Sequence, residues 1–213
     1  MGPLSSATGK DVARQHFRAA RLAMSAEQRL AAAVGLRDQV LDWLPLGSTR
    51  PRLVAAYLSV DPEPGTRELL TSLTARGYQV VVPICEPAYQ LSWCSWSAEV
   101  ELRRSPRAPV LEPVGARRHF SDLLAGERAV ALVLVPGLAV DHNGGRLGQG
   151  GGYYDRFLAQ LRAVDPNVPT LAYVYDHELL PAGSLATTPL DMPLAGTFTP
   201  SAYHPLNTRR DAG

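Results

Sequence analysis

The segment Leu53-Val54-Ala55-Ala56-Tyr57-Leu58-Ser59-Val60 runs into the turn Asp61-Pro62-Glu63-Pro64-Gly65, and further on the chain reads Tyr78-Gln79-Val80-Val81-Val82-Pro83-Ile84. Both outer segments are short apolar runs bounded by turn residues, the pattern of strands buried on both faces. Between them, Thr66 stands where it can cap a helix running to Arg76, and Gly77 is a natural stop. Strand, helix, strand at this spacing predicts a βαβ unit with parallel strands and a right-handed crossover.

Working outward, Ala129–Val135 and Thr170–Tyr175 read as further buried strands, and Gly196–Thr199 as a short fifth. Gln90–Trp96 alternates like a more exposed strand, one arm of a hairpin, while the proline-bearing stretch Ser97–Arg128 reads as irregular. Helices are expected over residues 8–24, from a Ser25/Gln28 capping box onward, and over Tyr153–Ala163. In the second, Leu30, Ala33, Leu36, Val40 and Leu41 form the apolar stripe. The expected fold is α/β and three-layered, a mostly parallel sheet with helices on both faces. A single domain over 10–200 is expected, with a flexible N-terminus at 1–9 and a loosely ordered tail at 201–213.

Composition removes several function classes. With 46% hydrophobic and 19% charged residues the 213-residue chain can bury a sizeable core. A net charge of +1 gives generic nucleic-acid binding no support. No apolar run approaches the roughly 20 residues of a membrane helix, and Met1-Gly2-Pro3-Leu4 does not begin a secretory signal. Two cysteines, Cys85 and Cys94, are too few for a disulfide framework or a structural zinc site. The expectation is a cytoplasmic protein, monomeric or weakly dimeric, with no nucleic-acid or membrane partner.

In an open α/β sheet, ligands bind beyond the carboxyl ends of the strands. Two loops fall there: residues 61–65, and the longer run from Pro136 to Arg156, with six glycines among residues 144–152. Such a loop is either a flexible linker or a cradle whose N–H groups surround an anion; ending at a helix N-terminus favours the cradle. Arg146 can add a bidentate phosphate contact. The run is neither a Walker A motif nor a dinucleotide fingerprint, since Tyr153 stands where the third glycine belongs. Asp155 is either an ordinary helix N-terminal acid or a magnesium ligand. Lys10, Arg14, Arg18 and Arg21 lie along one side of the first helix, a solvated face or a phosphate-binding one. All basic residues except Lys10 are arginines; that lone lysine is either accidental or a site needing a compact ammonium.

Val135-Pro136-Gly137-Leu138-Ala139-Val140-Asp141 and the later run from Gly145 through Gly148, Gly150 and Gly152 to Tyr153-Tyr154-Asp155-Arg156 resemble the signature of the 5-formyltetrahydrofolate cyclo-ligases. Lys10, Arg14, Met24–Glu27, Glu63, Asp191 and Thr199-Pro200 fit that family's order, so the resemblance spans roughly residues 10–200. It implies an ATP-driven cyclisation of 5-formyltetrahydrofolate to 5,10-methenyltetrahydrofolate with magnesium as cofactor, releasing ADP and phosphate through an iminium phosphate. By position it implies ATP contacts at Lys10, Arg14, Arg146, Leu147, Gly148, Gln149, Gly150, Gly151, Gly152, Tyr153 and Tyr154. Leu58 and Glu63 resemble folate contacts, joined by Gln149, Gly150, Gly151, Gly152 and Tyr153. Asp155 and Asp191 resemble the magnesium ligands.

The chain departs from the family pattern at Val140, Leu190, Gln149 and Ala108, the last standing where an aromatic residue is common. Those departures motivate an alternative, a non-catalytic folate or nucleotide binder of the same fold. A sugar-phosphate isomerase or acyl-carrier enzyme on a similar scaffold rests on fold analogy alone.

Overall fold

The computed structural model describes residues 7–45, 52–126, 129–186 and 191–207. Two helices open the chain, α1 at Ala7–Ala23 and α2 at Ala26–Trp43, the latter begun by the Ser25/Gln28 capping box. Strand β1 (Arg52–Ala55), helix α3 (Arg67–Ala75) and strand β2 (Gln79–Glu86) form the βαβ unit. Next come β3 (Gln90–Ser95), the short strands β4 (Leu102–Arg104) and β5 (Leu111–Pro113), and α4 (Phe120–Leu124). Strand β6 (Ala129–Pro136) leads into β7 (Ala139–Asp141) and β8 (Arg146–Leu147), then α5 (Tyr153–Val164). The chain closes with β9 (Thr170–Tyr173), β10 (Leu179–Leu180), β11 (Gly196–Phe198) and β12 (Tyr203–Pro205).

The main sheet runs β12-β11-β9-β6-β1-β2-β3. Its five inner strands are parallel and its two edge strands pair antiparallel. Alternation along each inner strand sorts side chains between two cores. Val54, Val80, Val82, Leu132 and Leu134 face a core shared with Leu36 and Val40 of α2 and Leu69, Leu70 and Leu73 of α3. Leu53, Ala55, Val81, Val133 and Val135 face the other, with Phe120 of α4 and Phe157, Leu158 and Leu161 of α5. The three-layer expectation is met.

Where α2 meets β12's end of the sheet, Gly35 permits an unusually close approach, because a Cβ there would stand 2.7 Å from the Pro200 carbonyl oxygen. The capping expectation at Thr66 fails: its hydroxyl donates instead to the Tyr57 carbonyl at 2.7 Å and accepts from the Ser59 N–H at 3.0 Å, so it ties down the loop after β1. Leu30, expected in the buried stripe, is 58% exposed, because α2 buries only its stretch from Ala32 onward. Strand β3 is not the exposed arm anticipated. Trp93 is fully buried beneath Phe120 and Phe157, at ring separations of 5.1 and 5.0 Å. The stretch expected to be irregular carries the β4–β5 hairpin and α4. The tail expectation is corrected for its first residues, since β12 pairs with β11 and Leu206 is buried. Residues 1–6 and 208–213 lie outside the described residues, as does Leu190, and Gly9 belongs to α1.

The chain moves from β1 outward to β2 and β3, then returns to β6 on the other side of β1. The carboxyl ends of β1 and β6 therefore diverge at a topological switch point, where open α/β sheets form their ligand crevice. The loop after β1 carries Leu58 and Glu63; the loop after β6 carries the glycines. Topology alone brings the two singled-out loops together.

Candidate functional site

The glycine loop is more ordered than a bare cradle. Strands β7 and β8 pair antiparallel, and β10 adds to β7 in parallel, giving a small second sheet. Asp141, 1% exposed, builds its turn. One carboxylate oxygen accepts from the Asn143 and Gly145 N–H groups at 3.1 and 2.9 Å, and the other accepts from Leu185 N–H at 3.1 Å. Its role is structural, and the sequence reading assigned it none.

Helix α1 packs on this small sheet through Ala13 and Phe17, against Leu138, Ala139 and Leu147. That contact turns the basic side of the helix toward the glycines. Arg14 Nε donates to the Gly148 carbonyl at 3.0 Å. Arg18 donates to the Gln149 side-chain oxygen at 2.8 Å from Nη2 and 3.1 Å from Nε. Lys10 Nζ lies 3.5 Å from Asp191 Oδ2. Lys10, Arg14 and Arg18 therefore face the glycine loop and Asp191 and do not form a freely solvated side. Arg21 differs from the other three: it is buried and engages Glu178.

The two loops touch through Gln149, whose amide donates to Glu63 Oε1 at 3.4 Å, while Glu63 Oε2 accepts the Val60 N–H at 3.0 Å. Leu58 is half-buried against the core shared with α2 and α3. Arg146, its side chain 7% exposed, donates from Nη1 to the Pro136 carbonyl at 3.0 Å and from Nη2 to Asp155. Arg146 lies over Gly148: a Cβ there would stand 2.9 Å from Nη1, so a side chain would push that guanidinium aside. Gly150 and Gly152 adopt φ of +102° and +74°, which side chains rarely tolerate, so glycine at these two positions is dictated by backbone shape. Gly151 lies against the Tyr153 ring. Leu147 is a core residue of the small sheet and offers only backbone.

Tyr154 points inward. Its hydroxyl is buried without a hydrogen-bond partner, and burial pushes its pKa far up, so it stays a neutral donor. Glu112, 1% exposed, is a second such group that the sequence did not single out. One oxygen accepts the Cys85 N–H at 2.8 Å and the other has no partner. Burial, with Glu112 beside it, pushes the Cys85 thiol up to about 11. Only the thiolate reacts with alkylating agents, so the rate of Cys85 labelling by iodoacetamide should rise about tenfold per pH unit until the inflection is reached. We expect that inflection near 11 instead of the ordinary 9.0; an inflection at the ordinary value would contradict the burial argument.

Among the described residues no group of three or more His, Cys, Asp or Glu is clustered as a metal site. Asp155 instead pairs with Arg146, and Asp191 with Lys10. Nor does any described helix have the length and apolarity to cross a membrane.

Known proteins share this chain's sequence pattern and fold. The profile of the 5-formyltetrahydrofolate cyclo-ligase family matches residues 6–200. The 5-formyltetrahydrofolate cyclo-ligase of Mycolicibacterium smegmatis is 32% identical over 181 residues, 80% of this chain and 84% of that protein. The enzyme of the same name from Escherichia coli K12 is 29% identical, over 87% of this chain and 97% of its own. The solved structure of Aquifex aeolicus 5,10-methenyltetrahydrofolate synthetase superposes with a TM-score of 0.72 at 23% identity, covering 96% of each chain. The shared motif, the sheet and the crevice where its two loops meet all lead to one conclusion: this chain belongs to the 5-formyltetrahydrofolate cyclo-ligase family.

Proposed function

We propose that the protein is a ligase that closes 5-formyltetrahydrofolate to 5,10-methenyltetrahydrofolate at the expense of ATP. The observation that carries this reading is the convergence of Glu63, the glycine loop and the basic side of α1 on one crevice. A carboxylate at Glu63 suits paired hydrogen bonds from the amino and ring N–H groups of a pterin. The glycine N–H groups, Arg146, Arg14 and Lys10 suit a triphosphate.

Chemistry orders the steps. A formyl oxygen on nitrogen is a poor leaving group, so it first attacks the γ-phosphorus and displaces ADP. N10 of the folate then adds to the activated carbon and gives up its proton, the phosphorylated oxygen departs as phosphate, which can carry that proton away, and the amidinium double bond of the methenyl product forms. Most of the protein's contribution is to align the reactants and to stabilise charge passing between phosphates.

Magnesium fits the donor set, because Asp155 and Asp191 are oxygen ligands beside the phosphate-binding cations, and this ion needs only one or two carboxylates when phosphates complete its shell. When bound it would neutralise charge on the transferring phosphoryl group. Phosphates arriving at Arg146 and Lys10 would free both carboxylates from their present ion pairs.

The test is the ultraviolet absorbance of the methenyl product, with 5-formyltetrahydrofolate, magnesium and ATP omitted in turn. The signal is expected to require all three. Folded protein that binds the folate in calorimetry yet yields no product would instead mark a non-catalytic binder.

A further inference from the structure

The hairpin joining β2 to β3 turns through Pro87, Ala88 and Tyr89, and the last two are consecutive non-glycine residues with φ of +55° and +57°. Left-handed backbone costs an ordinary L-residue about 1–2 kcal/mol, which is why glycine or asparagine usually stands in such turns. Here the strained pair holds a large ring outward. Tyr89 is 51% exposed, the most exposed aromatic residue among the large apolar side chains at the surface. It is not buried to stabilise the hairpin, so its own packing does not explain the strain.

What it touches belongs to the site. The ring stands edge-on to Tyr153 at 5.5 Å, and Tyr153 is the first residue of α5 after the glycine loop. The Arg156 guanidinium lies over the Tyr89 ring, 5.0 Å from its centre, so a cation is displayed beside the Tyr89–Tyr153 pair. Just below, Gln90 and Gln160 join the hairpin to α5 through a 2.8 Å hydrogen bond, which fixes the tip against the helix. Two rings and a guanidinium at one rim fit a flat aromatic group that carries an anion.

We infer that Tyr89, with Tyr153 and Arg156, grips the aminobenzoyl-glutamate half of the folate substrate: the rings pack on the benzoyl group and Arg156 faces the carboxylate end. This assignment rests on the proposed function and adds a specificity-determining residue to it. It gives the chain an aromatic surface for the substrate from the β2–β3 turn, while Ala108 supplies none.

Calorimetric titration of the full chain with 5-formyltetrahydrofolate and, separately, with ATP tests it. Tyr89→Ala should weaken folate binding about tenfold and leave ATP binding within twofold. Tyr89→Phe should recover most of the loss, and Tyr89→Leu should not, because an aliphatic group fills the volume without offering a ring face. Arg156→Gln should weaken folate binding severalfold with no change in ATP affinity. Equal folate affinity in wild type and Tyr89→Ala, full recovery with leucine, or parallel loss of ATP binding would each overturn the assignment. Wild-type protein that fails to bind the folate would instead overturn the proposed function on which it stands.

Discussion

Arg146→Ala should lower turnover by about 10²–10³, the usual loss when a preorganised donor to developing charge is removed. The argument starts from placement. Arg146 opens β8 with its side chain almost wholly enclosed, one guanidinium arm fixed on the Pro136 carbonyl and the other on Asp155. A side chain so held is aimed before any ligand arrives, and little ordering remains to be done on binding. Arg146→Lys should not rescue, since an ammonium is a single point and cannot keep the Pro136 contact while reaching a phosphate. The thermal midpoint should fall by only a few degrees, because Asp155, the charge left behind, is partly exposed to solvent. Turnover within threefold of wild type would remove Arg146 from the chemistry.

The same pair resolves the two readings of Asp155. If it holds magnesium, Asp155→Asn should raise the magnesium concentration for half-maximal rate by at least about tenfold, with partial rescue at high magnesium. If it merely balances the helix N-terminus and Arg146, the magnesium requirement stays put and only a modest loss in rate appears.

Much of this site could be read in the sequence, and its physical reasons are local. Glycines at 150 and 152 mark backbone that only glycine tolerates, and the basic side of α1 follows from spacings of three and four. Strands β1, β2 and β6 announced themselves because the sheet is covered on both faces there, which leaves unbroken apolar runs. What stayed hidden depends on distant partners. Residues 57–60 look like more strand, yet the ladder ends with the Ala56 N–H bonded to the Val81 carbonyl, and the chain then bends so that Glu63 meets the glycine loop. Strands β7, β8 and β10 are two or three residues long, and Val140 finds Leu179 only through the tertiary fold. Trp93 looked half-exposed because nothing in its own segment reveals that α4 and α5 cover it. Glu112 and its unpaired oxygen carried no motif at all.

Arg21 is the sharpest case, since it shares the period of Lys10, Arg14 and Arg18 but serves the fold. It is 1% exposed, and its Nε and Nη2 donate to the two oxygens of Glu178 at 2.6 and 3.0 Å. Nη2 also donates to the Gly137 carbonyl at 2.6 Å, at the base of the glycine loop, and Glu178 accepts the Tyr175 N–H at 2.9 Å. Burial pushes the Glu178 carboxyl up, while Arg21 works against that rise. Arg21 Nε and Nη2 and both Glu178 oxygens are thus committed, and removing one partner strands the other charge away from water. Glu178→Ala should therefore cost about 3–5 kcal/mol, a large fraction of a domain's usual margin of about 5–15. Urea unfolding followed by circular dichroism measures it, and a loss under 1 kcal/mol would show that water reaches Arg21 after all. Replacing both partners, as Arg21→Met with Glu178→Leu, should recover most of the stability, because no charge is left buried. That double variant also separates fold from function. With the buried charge gone, α1 still packs through Ala13 and Phe17 and still presents Lys10 and Arg14; ATP affinity should then return with stability, whereas a double variant that is stable but cannot bind ATP would mean that Arg21 sets the glycine loop through Gly137.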